Sequence, residues 1–300
     1  MSKHVAVLMG GWSSEREVSL ISGAAVSNSL KTSGYRVTTI DVQRDLGVLL
    51  TRLFPRPDVV FNALHGRFGE DGCVQGLLDI LDIPYTHSGL LASALAMNKP
   101  MAKRLFAAAG IPVPEGKVIS GGEAIAAEVM APPYVIKPLN EGSSVGVHIV
   151  PEDGGEHSLA TNWPFGDRVL VERYIPGREL TVAVMGDQAL AVTEITTSAG
   201  FYDYSAKYDE GASTHLIPAP VPPAVYGEAL RLAVLAHRSL GCRGVSRADF
   251  RYDGETLFIL ELNTQPGMTP LSLVPEQAAH AGKSFDELAA WMVENAECDP

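Results

Sequence analysis

The chain has 300 residues, 46% of them apolar, and a formal net charge of −12. That is enough to bury a large core in two or three domains. The acidic balance argues against a nucleic-acid or anionic-membrane surface, so an anionic substrate needs locally gathered lysines and arginines. Cys73, Cys242 and Cys298 stand far apart without metal-type spacing and read as reduced thiols of a cytosolic protein. No apolar run reaches membrane-spanning length, and the N-terminus reads as a short strand with no signal-peptide pattern.

Strand and helix alternate at first: strand 4–9, helix 15–33 closed by Gly34, strand 35–41, a short helix near 44–53, strand 58–64 and helix 72–82. This βαβαβ order predicts a parallel sheet between helical layers. Such sheets bind ligands beyond the carboxyl ends of their strands, where two loops lie. The Gly10-Gly11-Trp12-Ser13-Ser14-Glu15 loop opens the first helix, with Ser14 and Glu17 spaced as a capping box, and is equally readable as a plain Gly-rich cap. The His65-to-Gly72 loop holds three glycines, a histidine and two acids, more than a simple turn needs.

Ser88–Ala109 reads as one helix, stopped by Gly110 and the prolines at 112 and 114. A mixed domain follows, with a strand at 134–137 ending in Lys137, a Gly/Ser loop at 140–146 and a strand at 147–150. Such a loop can offer backbone N–H groups to phosphates. It is not a Walker A loop, because Gly-Lys-Ser/Thr and a following helix are missing. Beyond Pro176 the reading is strands around Gly186-Asp187, a long polar loop 198–215, helix 223–240, a hairpin within 244–263, a polar Gly/Pro-punctuated loop, and a helix near 284–296.

The hairpin carries the sharpest chemistry. Arg247, Asp249 and Arg251 alternate along its first strand, and Glu261 and Asn263 along its second. Carboxylates among Phe250, Leu257, Phe258, Ile259 and Leu260 are costly to bury unless a cation neutralises them. Asp, Glu and Asn oxygens make a hard-ligand set suited to Mg²⁺, although an amphipathic hairpin with surface charges is the plainer alternative. Asp249 and Glu261 share a face only if paired residue numbers have an even sum, and a two-residue Asp253-Gly254 turn gives an odd one. The expectation is therefore a three-residue connection, Tyr252 to Gly254, with Gly254 left-handed.

Lysine, Gly/Ser loop and acidic hairpin in this order resemble an ATP-grasp enzyme. HGRFGEDG at 65–72, KPLNEGSSVGV at 137–147, FYDYSAKY at 201–208, SRADF at 246–250 and ELNTQPGMTPLSLVP at 261–275 together are similar to the D-alanine–D-alanine ligases of peptidoglycan synthesis. The resemblance spans essentially the whole chain. It implies an α/β (α+β) ATP-grasp fold, with a parallel αβα domain at 1–87, a central lid-bearing subdomain at 88–176 and a C-terminal metal and substrate subdomain at 177–300.

By that resemblance, Lys99, Lys137 and Lys207 look like phosphate contacts, with Ser143 and Ser144 in the lid. Glu172, Tyr174 and Ile175 resemble the hinge that reads adenine, and Glu179 the acid holding the ribose. Asp249, Glu261 and Asn263 match ligands of two Mg²⁺ or Mn²⁺ ions. Glu15, kept ionised by the helix dipole, and His65 would meet the first D-alanine. Arg247 and the Gly267 amide would hold the acyl-phosphate and tetrahedral oxygens, and Ser272 and Leu273 the second D-alanine's carboxylate. Tyr208, linked to Glu15 and Ser143, completes the catalytic network. The implied partners are two D-alanines and ATP, without nucleic acid or membrane, in a cytoplasmic homodimer.

The alternatives are another ATP-grasp ligase, such as one joining D-alanine to D-lactate or another amino acid, and a catalytically silent nucleotide-binding module. A dinucleotide-binding oxidoreductase would need G-x-G-x-x-G, where the chain has only Gly10-Gly11, and an acid closer than Asp41.

Overall fold

The structure is a computed structural model that describes residues 2–120, 129–142, 145–153, 163, 165–197 and 213–299. Ser143, Ser144, Lys207 and Tyr208 lie outside the described residues.

The first sheet joins β1 (His4–Gly10), β2 (Arg36–Val42) and β3 (Val59–Asn62), parallel and in the order β2-β1-β3. β1 is apolar on both faces because both are covered. Val5 and Val7 pack on Val26 and Leu30 of α1 (Arg16–Thr32). Ala6 and Leu8 face Leu49 of α2 (Leu46–Arg52) and Leu78 of α3 (Cys73–Ile80). The expected capping box does not form: Glu15 is the N-cap of α1, without a side-chain cap bond. The loop is tied sideways instead, with Ser13 Oγ accepting from Glu15 N at 3.2 Å and donating to His65 O at 2.7 Å.

The single helix expected over 88–109 is two, α4 (Leu90–Met97) and α5 (Lys99–Ala108). Asn98 breaks them at φ −86°, ψ 89°, its side chain accepting from Met101 N at 3.2 Å, with Pro100 in the new first turn. The break frees Lys99 N to donate to Leu139 O at 3.1 Å.

A second sheet has the order β4-β7-β5-β6, from β4 (Gly116–Ser120), β5 (Tyr134–Pro138), β6 (His148–Val150) and β7 (Arg168–Arg173). The third is β10-β9-β8-β11-β12, from β8 (Arg178–Met185), β9 (Gln188–Thr197), β10 (Ser213–Leu216), β11 (Val245–Tyr252) and β12 (Leu257–Asn263). One face of this sheet packs through Val182, Ala248 and Ile259 on Ala229 and Ala233 of α6 (Pro223–Ser239) and on Phe106 of α5. Its other face, through Ala183 and Val245, shares one apolar cluster with Val5 and Phe61 of the first sheet. That cluster also takes in α7 (Leu273–His280) and α8 (Phe285–Glu294). β4, β7, β10 and α7 were not anticipated by the sequence reading, and α7 replaces the end of what read as a loop.

The hairpin turn differs from expectation. Tyr252 pairs with Leu257, so the connection is the four residues Asp253–Thr256 and the local sum is odd. Asp253 Oδ1 stabilises it by accepting from Glu255 N at 3.0 Å and Thr256 N at 2.8 Å. Gly254 is left-handed, at φ +107°. Parity is restored by a bulge: Phe250 pairs with Ile259 but Asp249 with Glu261, leaving Leu260 as the extra residue.

Candidate active site

Across the bulge, Asp249 faces Glu261 and Arg247 faces Asn263. Arg247 grips Asp249 with both arms, Nε to Oδ1 at 2.8 Å and Nη2 to Oδ2 at 2.7 Å. Thr181 Oγ1, fully buried on β8, donates to the same Oδ1 at 2.7 Å. Glu261 lies 3.3 Å from Lys99 Nζ, and Asn263 Oδ1 accepts from Gln265 N at 2.8 Å. Two carboxylates and an amide oxygen at one edge suit a hard divalent cation. In this arrangement the Arg247 guanidinium neutralises Asp249, so a metal would share Asp249 with it or displace it.

Two cavities meet at this edge. The first runs between the second and third sheets and is lined by Lys99, Lys137, Glu172, Tyr174, Ile175, Glu179, Asp249 and Glu261. All eight are residues picked out in the sequence for the nucleotide or its metals. Arg251, which sequence reasoning placed on the hairpin face without a role, organises the hinge. Its Nε donates to Ile175 O at 3.1 Å, and its Nη atoms reach Glu179 Oε2 at 3.2 Å and Tyr174 Oη at 3.3 Å. Lys99 Nζ donates to Glu141 O at 2.5 Å.

Lys137 pairs with Glu172 rather than pointing free. Glu172 also accepts from Lys103, a buried lysine that the sequence reading passed over. Burial pushes the Glu172 carboxyl up, but Lys137 and Lys103 outweigh it and hold the group below its ordinary range.

The second cavity is lined by Glu15, His65, Glu70, Gly142, Arg247, Asn263, Gly267, Ser272 and Leu273, and shares Lys99, Glu141 and Glu261 with the first. His65 is buried, and burial, aided by Arg247 against a backbone bond to Gln265, pushes its pKa down to about 4. It stands neutral at pH 7, with Nε2 3.3 Å from Ser22 Oγ. Ser272 is the N-cap of α7, without a side-chain cap bond: its Oγ accepts from Thr269 N at 2.9 Å and its N donates to Thr269 O at 3.0 Å. The N-terminus of α7 lines the cavity at Ser272 and Leu273, a usual place for a carboxylate. A Cβ at Gly267 would come 2.9 Å from Ser272 Oγ, so that hydroxyl would have to turn aside to admit one.

Glu70 is the acid that sequence reasoning left without a role. Burial raises its carboxyl well above the ordinary range, and the nearby Glu15 and Glu261 add to this against the Gly66 N–H and Lys99. Its only signal in the sequence was the excess of acids in the 65–72 loop.

That loop is locked to the 263–268 loop by a buried amide network. Asn62 Nδ2 donates to Gly69 O at 2.8 Å and to Gln265 Oε1 at 2.9 Å, Gln75 Nε2 donates to Gly69 O at 3.0 Å, and Gln265 Nε2 donates to Leu64 O. Amides bound on both sides fix the two loops to one another more firmly than apolar contact would.

Comparison with known proteins agrees over the whole chain. Residues 105–294 match the family model "D-ala D-ala ligase C-terminus", and residues 51–88 match "D-ala D-ala ligase N-terminus". The chain is 60% identical to the D-alanine–D-alanine ligase of Rhodospirillum rubrum, covering 100% of both. It is also 60% identical to that of Paramagnetospirillum magneticum, again over 100% of each. Among solved structures it resembles the Bacillus anthracis D-alanine–D-alanine ligase complexed with ATP, with TM-score 0.84, 30% identity and coverage of 98% and 97%. It also resembles the VanG D-Ala:D-Ser ligase of Enterococcus faecalis, with TM-score 0.82, 30% identity and coverage of 98% and 99%. The chain belongs to the D-alanine–D-alanine ligase family, on an ATP-grasp fold.

Proposed function

We infer that this chain joins two molecules of D-alanine into D-alanyl-D-alanine at the expense of ATP, for cell-wall synthesis. The observation that carries this reading is the shared edge at Lys99, Glu141 and Glu261, where the nucleotide cleft opens onto the substrate cavity. A phosphoryl group held at the end of one cavity then lies beside a carboxylate held in the other.

The chemistry follows from the residues. A carboxylate is a poor electrophile, and phosphorylation by ATP turns it into an acyl phosphate that an amine can attack. Glu15 receives the ammonium of the first D-alanine, beside the neutral His65. Arg247 holds the oxygens of that D-alanine's activated carboxylate, and Lys99, a phosphate contact at the shared edge, neutralises charge that develops as the phosphoryl transfers. The second amine, having given up its ammonium proton, attacks the acyl carbon, and Arg247 and the Gly267 N–H receive the tetrahedral oxygens. The bond to phosphate then breaks, releasing inorganic phosphate. Ser272 and Leu273 at the start of α7 hold the second carboxylate, which aims its amine at the acyl carbon. Glu172, Tyr174, Ile175 and Glu179 hold adenine and ribose, and Lys137 a phosphate. Asp249, Glu261 and Asn263 would hold two Mg²⁺ or Mn²⁺ ions, which supply charge neutralisation on the ATP phosphates. Ser143, Ser144, Lys207 and Tyr208 keep the lid, phosphate and network roles implied by family resemblance.

The three sheets fall within 1–87, 88–176 and 177–300, which supports those bounds for the sheets, while α4 and α5 pack on the third sheet. Among the described residues no helix is long and apolar enough to cross a membrane. Family resemblance is what supports the reading of a cytoplasmic homodimer.

The test is phosphate release from ATP and Mg²⁺ across D- and L-amino acids and D-lactate, with products identified by mass. D-Alanyl-D-alanine is expected. A different second substrate would move the chain to a sister specificity, which the fold it shares with a D-Ala:D-Ser ligase readily hosts.

A further inference from the structure

Behind the nucleotide cleft lies a buried group with one charge too many. Glu172 on β7 is 3% exposed, and Lys103 on α5 and Lys137 on β5 are each 8% exposed. Both lysines hold the one carboxylate, Lys103 on Oε1 and Lys137 on Oε2. Two ammonium groups against one anion leave an excess positive charge in a desolvated space, a costly arrangement unless that charge serves something outside it.

The two lysines are not equivalent. Lys103 Nζ is tied a second time, donating to Pro114 O at 2.7 Å, and it does not line the cleft. Lys137 lines the cleft together with Glu172. Only Lys137 is therefore placed to leave the carboxylate for a ligand.

We propose that Lys103 is a positioning residue that keeps Glu172 neutralised, so that Lys137 can turn from Glu172 to a nucleotide phosphate. The proposal rests on the reading of this cleft as the ATP site. Without Lys103, Lys137 is the sole partner of a buried carboxylate, and leaving it would strand an uncompensated charge. Lys103 would then act on nucleotide binding only through Glu172, and only on the part contributed by phosphates.

Calorimetric dissociation constants for ADP and adenosine, with magnesium present, test this in the full chain, in Lys103→Met, in Glu172→Gln and in the double variant. The adenosine-to-ADP ratio of constants measures what the phosphates contribute. Lys103→Met is expected to lower that ratio about 10-fold, with adenosine itself changed about threefold or less. In the Glu172→Gln background, removing Lys103 is expected to leave the ratio unchanged within about twofold, because an amide does not hold Lys137. Equal losses for adenosine and ADP in Lys103→Met would overturn the proposal, as would a similar fall of the ratio in both backgrounds. Should Lys103→Met fail to fold, Lys103→Gln, which keeps a donor for Pro114 O and Glu172 while removing the charge, takes its place in both backgrounds. A parent protein that bound neither ADP nor adenosine would overturn the nucleotide reading of the cleft itself, and the proposal with it.

Discussion

Asp249 and Glu261 stand directly opposite one another on β11 and β12, in a hairpin whose turn on its own would put them out of step. A single extra residue, Leu260, corrects the register just before the acidic pair. Glu261 sits at the junction of the two cavities, 3.3 Å from Lys99. Glu261→Gln is expected to lower turnover at least ~10²-fold by removing a charge from the phosphoryl-transfer edge. Chelation with excess EDTA is expected to abolish phosphate release. Turnover near normal in either experiment would contradict the metal assignment of this edge.

The bulge has a second effect. In a regular strand consecutive side chains point to opposite faces, yet Leu260 and Glu261 both line the nucleotide cleft. Leu260→Ala removes apolar surface from that wall and is expected to raise KM for ATP about 5-fold, on the order of 1 kcal/mol, with kcat nearly unchanged. Steady-state kinetics with D-alanine saturating give the split. A fall in kcat with KM unaltered would place Leu260 elsewhere in the cycle.

Arg251 is the residue on which the adenine hinge hangs, through Ile175 O, Glu179 and the Tyr174 hydroxyl. Arg251→Met keeps the aliphatic stem and removes all three bonds. It is expected to raise KM for ATP about 10-fold or more, since hydrogen bonds from a charged donor are the stronger kind. KM for D-alanine should stay within about twofold, because the contacts lie in the nucleotide cleft alone. Equal changes for both substrates would show a general loss of structure instead.

How much of this was legible in the sequence depended on the range of the interactions. The parallel first sheet could be read because strand and helix alternate locally along the first part of the chain, an order that forces parallel crossovers. The acidic pair could be read because alternation along two neighbouring strands is local. The bulge could not, since nothing in Phe258 to Glu261 marks which residue is the extra one. The break at Asn98 was visible in principle, as a capping residue followed by Pro100, but the apolar run from Leu90 to Ala109 masked it. Lys103 and Gln265 were out of reach. Their partners Glu172 and Asn62 lie 69 and 203 residues away, and a lysine or glutamine on its own carries no sign that it is buried.

Gly177 lies in the short link from β7 to β8 that joins the second sheet to the third. It has φ +97°, and a Cβ there would come 2.2 Å from Tyr252 O, at the hairpin's end. Both the backbone conformation and the space exclude a side chain. Gly177→Ala is expected to destabilise the fold by about 2 kcal/mol or more. Denaturant unfolding measures this, and a loss below about 0.5 kcal/mol, the scatter of ordinary surface changes, would show that the hinge yields.

Stability should fall on mild acidification, because three histidines are buried neutral. Burial is the chief cause in each: His65 is pushed down to about 4, His87 to about 3 and His237 to about 4. His65 and Arg243 add to the effect at His87, and Arg238 at His237. In the unfolded chain these imidazoles take up protons near their ordinary value of about 6.5. Between that value and the folded ones, the unfolded state binds more protons, so stability is full above about 6.5 and is lost as pH falls towards 4. Glu70 works in the other direction. Its raised carboxyl holds a proton in the folded state above the ordinary carboxylate range, so its contribution is present at low pH and is lost as pH rises through the folded value. Three imidazoles against one carboxyl leave the histidines dominant. Urea midpoints are expected to be clearly lower at about pH 5 than at about pH 7, and His237→Gln is expected to flatten the slope between them. A midpoint that stays level or rises on acidification would contradict the dominance of these buried histidines.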